Sequence, residues 1–283
     1  MRNRQVVRRI AARQVSDGAG VKLWRSLGNS SFTRIDPLLM LDEFGSDEAA
    51  DYLAGFPAHP HRGFETVTYM LEGHFQHEDH LGHVGELRSG GVQWMCAGRG
   101  IIHSEMPLQE AGRLHGFQLW VNLPARDKLQ PAAYRNIDAA EMPVFTRPGV
   151  HIKVLAGQLA LDGQTLNGPI PQSATALHYF DVALEAGASI RLPVPEAHQV
   201  VVYPFEGRLI SVGETLVSHE LAVLDDGDTV QLAAESGPGR CLLLSGQPLR
   251  EPIAQYGPFV MNTQQEIETA LADYREGRLT ATE

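Results

Sequence analysis

The chain has 283 residues, 43 % hydrophobic and 20 % charged, which is enough to bury cores and argues against global disorder. That length exceeds most single cores and suits two domains. A net charge of −11 argues against direct nucleic-acid binding, no run of 18 apolar residues is present to span a membrane, and the two cysteines match no metal spacing and read as reduced thiols of a cytoplasmic protein.

In chain order, Arg2, Arg4, Arg8, Arg9 and Arg13 come first. The stretch lacks serine until Ser16 and runs straight into alternation at Val21 and Leu23, so it reads as a first strand with solvated arginines rather than a targeting peptide. Residues 37–41 form a short apolar run, and residues 47–54 a loop or helical turn. The segment His59-Pro60-His61-Arg62-Gly63 leads into a strand over residues 65–71. There Glu65, Val67, Tyr69 and Leu71 share one face, and Thr66, Thr68 and Met70 the other. The odd face is the more apolar and is expected toward the core, sharing parity with His59 and His61 unless Gly63 introduces a bulge.

His74, His77, His80 and His83 follow at a spacing of three, which fits neither strand face nor helix face, so residues 73–85 read as hairpin and loop. His74 and His80 read as solvated loop residues, and His77 and His83 as candidates for orienting metal ligands. After a turn at Gly90-Gly91 and another strand comes Gly98-Arg99-Gly100-Ile101-Ile102-His103-Ser104-Glu105. Phe117, Leu119 and Val121 alternate with Gln118, Trp120 and Asn122 in a strand that Pro124 ends. Many short strands punctuated by glycine indicate an all-β sandwich or barrel.

Residues i and i+2 of a strand face one side. His59 with His61, and His103 with Glu105, can therefore converge if their strands are neighbours. Three imidazoles and a carboxylate suit a first-row transition metal such as Fe, Mn, Co, Ni or Cu. Glu65 is either a fifth ligand or an acceptor for an imidazole N–H. Trp94 and Trp120 read as core and wall, and Arg62 as a partner for an acid on the rim. No phosphate loop and no nucleophile elbow is present.

The second half echoes the first. Tyr203 and Glu206-Gly207 repeat Tyr69 and Glu72-Gly73 at an offset of 134, which suggests two copies of one barrel. At that offset His59 and His61 fall on Pro193 and Pro195, so the second copy is expected to hold no metal, with His198 and His219 as surface or turn residues. Domains are placed at residues 1–140, binding metal, and 145–283, metal-free and carrying the terminal helix. That helix begins at the capping box Thr263 and Glu266, has an apolar stripe of Ile267, Leu271 and Tyr274, and stops at Gly277.

The segments FPAHPHRGFETVTYMLEG, VQWMCAGRGIIHSEMP, GFQLWVNLP and PLREPIAQYGPFVMNT are similar to those of the pirin family of the cupin superfamily, over nearly the whole chain. The resemblance implies a bicupin of two antiparallel β-barrels with metal in the first alone. The family's ligands fall on His59, His61, His103 and Glu105. Iron is the implied metal, as Fe(II) in an enzyme, although other divalent first-row ions fit such a site. Glu65 matches the glutamate of the general cupin motif, which does not bind the metal in pirins. Ser89-Gly90-Gly91 departs from the family's Pro-Gly-Asp and alters only a turn. Two functions are implied. One is a quercetin 2,3-dioxygenase acting with O₂ on a flavonol or related small aromatic substrate; on that reading Glu105, the only carboxylate among the four ligands and able to loosen one oxygen, is expected to be both ligand and catalytic base. The other is a redox-sensitive protein that binds a transcription factor or metabolic enzyme as its protein partner.

Overall fold

The computed structural model describes residues 2–30, 33–172 and 174–281. It divides into two compact units, one of residues 14–25, 38–140 and 249 onward, the other of residues up to 13, 26–37 and 141–248. Both are built from antiparallel strands, and the α-helix Gln264–Arg275 is the single one among the described residues. It is too short to cross a membrane, and no described helix is long and apolar enough to do so.

The unit holding the two histidine motifs has a seven-stranded and a four-stranded sheet. The larger runs Ala133–Ile137, Val92–Cys96, Phe64–Glu72, Leu114–Asn122, Leu38–Ser46, Val21–Leu27, Arg13–Asp17. The smaller runs Phe56–His61, Ile101–Pro107, His74–Asp79, Val84–Arg88. Phe44, Tyr52, Met70, Phe75, Leu87 and Leu114 form an apolar cluster within this unit, and Leu39, Met40, Phe64, Trp120 and Val260 form another.

The other unit repeats this order. Its main path runs Val6–Ala11, Glu220–Leu224, Gln199–Ser211, Gly239–Gly246, His178–Leu184, Val150–Ala156, Val144–Arg147. Val6–Ala11 thus fills the place that Ala133–Ile137 fills in the first unit. This corrects the linear division expected at 1–140 and 145–283. The opening strand pairs with Glu220–Leu224, Val6 opposite Leu224, because that strand would otherwise be an open sheet edge. Nor are all the opening arginines solvated. Arg4 is buried, its guanidinium donating to the carbonyls of Asp225 at 2.7 Å, Pro195 at 2.9 Å and Glu196 at 3.1 Å.

The terminal helix is likewise misplaced by the linear division, since it lies in the first unit. Its capping box is formed. The Thr263 hydroxyl accepts from the Glu266 backbone N–H, and the Glu266 carboxylate accepts from the Thr263 N–H at 2.8 Å, an arrangement worth about 1 kcal/mol. Gly277 stops it with φ +70°. Ile267 and Ala270 pack with Phe259, Met261 and Leu279.

The strand Phe64–Glu72 differs from expectation. Both faces are buried, the odd one at Val67 and Tyr69 and the even one at Thr66, Thr68 and Met70. The even face, not the odd, turns toward the histidine motifs, because Gly63, at φ +90°, interrupts the alternation after His61. A β-carbon at Gly63 would lie 2.0 Å from the Val260 carbonyl oxygen, so only glycine fits this turn.

Candidate metal centre

Phe56–His61 and Ile101–Pro107 are neighbouring antiparallel strands, with His103 opposite His59 and Ile101 opposite His61. Alternation then gathers three rings. Centroids are 4.7 Å apart for His59 and His61, 4.5 Å for His59 and His103, and 4.9 Å for His61 and His103. Each ring offers a nitrogen such that the three lie within 4.8 Å of one another.

The tautomers are set by neighbours. His59 Nδ1 lies 2.8 Å from the Pro57 carbonyl oxygen. A carbonyl only accepts, so Nδ1 carries the proton and Nε2 keeps its lone pair. His103 Nδ1 shares a hydrogen bond of 2.8 Å with His77 Nε2, and His103 Nε2, though buried, has no hydrogen-bond partner. Neither His61 nitrogen makes a hydrogen bond of good geometry, although the Pro258 carbonyl lies near enough to favour protonation slightly. Burial first, then the neighbouring histidines, holds His61 and His103 well below the ordinary histidine pKa. Buried polar atoms without partners are costly. Neutral imidazoles that present unpaired nitrogens to one another are what a divalent first-row ion requires, so these residues fit a metal.

Glu105 is not within that three-residue group. The register against Phe56–His61 shifts between His103 and Glu105. Its Oε1 accepts from the Thr68 hydroxyl at 3.2 Å and its Oε2 from the Gln118 amide at 3.0 Å. Trp120 Nε1 in turn donates to Gln118 Oε1 at 3.1 Å. Phe64 and Trp120 stand edge-on to the His61 ring, at 5.1 and 5.4 Å, and make an apolar wall.

The histidine-rich segment is more ordered than a loop. His74–Asp79 and Val84–Arg88 are paired strands. His77 is buried and orients His103, His83 binds Asp79 at 2.9 Å, His74 binds Glu86 at 3.0 Å, and His80 is exposed at the turn. Glu65 accepts from Trp94 Nε1 at 3.2 Å on the face of its strand opposite Thr68.

Two buried cations hold the ligand loop, and neither was singled out as buried from sequence. Arg62 donates to the Arg99 carbonyl and pairs with Asp273 at 2.8 Å, so it bridges both histidine motifs and the helix. Lys128 Nζ donates to the Gly63 carbonyl and Asn122 Oδ1, each at 2.8 Å, and to the Val260 carbonyl at 3.0 Å.

In the second unit, Ser189–Pro193 pairs with Thr229–Ala233 in the corresponding place, and Ile190, Leu192, Val230 and Leu232 enter an apolar core. His219 sits in a turn at φ +61°. His198 is buried rather than on the surface, with Nδ1 3.1 Å from the Ser245 hydroxyl.

A family model described as Pirin matches residues 20–121, and one described as Pirin C-terminal cupin domain matches residues 179–280. A Pseudomonas aeruginosa protein named "Putative quercetin 2,3-dioxygenase" is 51 % identical, over 98 % of this chain and 99 % of its own. Pirin of Mus musculus is 39 % identical over 98 % of this chain and 94 % of its own. A crystal structure of quercetin 2,3-dioxygenase from Acinetobacter baumannii superposes with a TM-score of 0.88 and 33 % identity, covering 99 % of both chains.

Proposed function

The chain belongs to the pirin family, with its two-domain cupin fold, and on that premise we propose that it is an Fe(II)-dependent dioxygenase of the quercetin 2,3-dioxygenase type, cleaving a flavonol or related phenolic with O₂. The observation that carries this reading is the converging trio His59, His61 and His103, the last on the strand that also carries the buried Glu105. The names of the Pseudomonas and Acinetobacter proteins support it. His59, His61 and His103 would hold the ion, with Glu105 as a fourth ligand. The second unit, whose matching strands carry Ile190, Leu192, Val230 and Leu232, would hold none. The ion's part is to lower the pKa of a substrate hydroxyl placed beside it.

The chain's own residues do the rest. Phe64 and Trp120 offer an apolar wall for an aromatic ring. A Glu105 oxygen takes the hydroxyl proton as general base. His77 fixes the His103 ring so that Nε2 faces the ion. The free, buried cysteines, with Cys96 pushed up to about 11 by burial and then by Glu65, fit a reducing, cytoplasmic setting.

The test is protein with one iron per chain, incubated with quercetin in air. One carbon monoxide released per flavonol consumed supports the reading. No oxygen uptake across a panel of flavonols contradicts it. A second reading, a redox-sensitive regulator of a protein partner, is favoured by the burial of His61, His103 and Glu105, at 2, 2 and 3 % exposure. It requires partner binding that changes with iron oxidation state.

A further inference from the structure

Arg62 directly follows His61, and its three guanidinium nitrogens donate to three different segments. Nε reaches the Arg99 carbonyl, Nη1 the Asp273 carboxylate at 2.8 Å and Nη2 the Leu279 carbonyl at 3.3 Å. Arg99 stands just before Ile101–Pro107, the strand that carries His103. Asp273 lies near the end of the terminal helix, and its own carbonyl accepts from the N–H groups of Arg278 and Leu279, at 2.7 and 3.1 Å, which folds the tail back. The tail comes so close to the ligand loop that a β-carbon at Gly100 would lie 2.2 Å from the Leu279 carbonyl oxygen. Leu279 also packs in one cluster with Ile102, the neighbour of His103. Of the three acceptors of Arg62 only Asp273 is charged, and a charge-assisted hydrogen bond is about twice as strong as a neutral one. The Arg62 side chain is 8 % exposed and that of Asp273 22 %, so solvent screens the pair weakly. Arg278 also pairs with Asp273, at 3.5 Å, but its side chain is largely in water and that contact contributes little.

We propose that Asp273, acting through Arg62, is a positioning residue for the metal centre: it fixes the loop after His61 against the turn before His103 and so sets the spacing of these two imidazoles. This rests on the metal reading above and not on the flavonol as substrate. The two strands pair as far as Ile101 opposite His61, and the Arg62 fork closes the pair just past that end. Without the charge at position 273 the guanidinium keeps only neutral acceptors in a buried place, so it turns toward water and the end of the pair loosens. The Gly63 N–H still donates to the Gly98 carbonyl at 2.8 Å. The centre is therefore expected to distort rather than to come apart.

The probe is Co(II), whose visible bands follow the geometry of its ligands. Cobalt-loaded wild type is compared with Asp273→Asn, Arg62→Met, the double variant Arg62→Met/Asp273→Asn, and Thr263→Ala. The last removes the helix cap but leaves the Arg62 fork intact. Asp273→Asn should shift the bands and weaken cobalt affinity, measured by chelator competition, by about tenfold, the lower end of what outer-shell partners do to metal affinity. Thr263→Ala should lower the unfolding midpoint yet keep wild-type bands and affinity, whereas a merely structural role of the helix would make both variants respond alike. In the Arg62→Met background, Asp273→Asn should add nothing. Asp273→Glu keeps the charge but sets it one methylene off, so a smaller shift is expected, and it keeps the test decisive should Asp273→Asn not fold. Wild-type bands and affinity in Asp273→Asn, or in Asp273→Glu should the first not fold, would overturn the proposal. So would an equal change in Thr263→Ala, or a full further effect of Asp273→Asn on top of Arg62→Met. Wild-type protein that binds no cobalt would overturn the metal reading and this proposal with it. The dioxygenase reading fails separately, through cobalt spectra that respond as expected while the iron-loaded protein turns over no flavonol.

Discussion

Replacing Lys128 by Met tests how the ligand loop is held. The ammonium is 1 % exposed and its three donors meet three acceptors, on Gly63, Asn122 and Val260. Burial pulls its pKa from 10.5 down to about 8, against the attraction of Glu251 and Glu266. That difference of two to three pH units, at about 1.4 kcal/mol each, means the buried charge costs roughly 3 kcal/mol. Met removes this cost but strands three buried acceptors, at about 1–3 kcal/mol each. The net loss at neutral pH is therefore on the order of 3 kcal/mol.

The pH dependence has a definite sign. Because the folded pKa lies below the unfolded one, the unfolded chain binds more protons between about 8 and 10.5, and wild-type stability rises with pH there. The variant lacks this contribution. The stability gap should widen by roughly 1.4 kcal/mol per pH unit above about pH 8. Trp24, Trp94 and Trp120, the chain's three tryptophans, all lie in this unit, so urea unfolding followed by tryptophan fluorescence reports on it selectively. A variant as stable as wild type at pH 7, or a gap that stays constant up to pH 9.5, would refute the reasoning.

Three further outcomes are expected at the metal centre. His61→Ala should lose most of the bound metal by elemental analysis, since one of three converging nitrogens is gone. His77→Phe keeps a ring but removes the partner of His103 Nδ1, and metal affinity measured by chelator competition should fall about 10–100-fold. Glu105→Gln should lower flavonol turnover per bound metal by about 10²–10⁴-fold, the usual share of a general base, and turnover within a few-fold of wild type would reduce Glu105 to a ligand at most.

The histidine trio was legible in the sequence because alternation converts an i, i+2 spacing directly into a shared face, and two such pairs require only that their strands be neighbours. The helix was legible because Thr263 and Glu266 are a local signal. The inner face of Phe64–Glu72 was not, because a strand buried on both sides carries no contrast between inside and outside and Gly63 resets the parity. Gln118 and Thr68 look like solvent-facing residues of alternating strands until the carboxylate they serve is in place. The pairing of Val6 with Leu224, and the burial of Arg4 under the carbonyls of Pro195, Glu196 and Asp225, join residues roughly 200 positions apart. No local pattern encodes such partners. His198 closes a turn onto Pro195, as the sequence allowed, but its burial was not legible, since its Ser245 partner comes from a distant strand.

The central claim is that one metal ion sits among His59, His61 and His103 and that the second unit binds none. Anomalous diffraction from crystals of iron-loaded protein, recorded on either side of the iron absorption edge, tests it most directly. The account predicts a single peak per chain, within bonding distance of all three imidazoles. No peak there, or a peak beside His198 or His219, would contradict it.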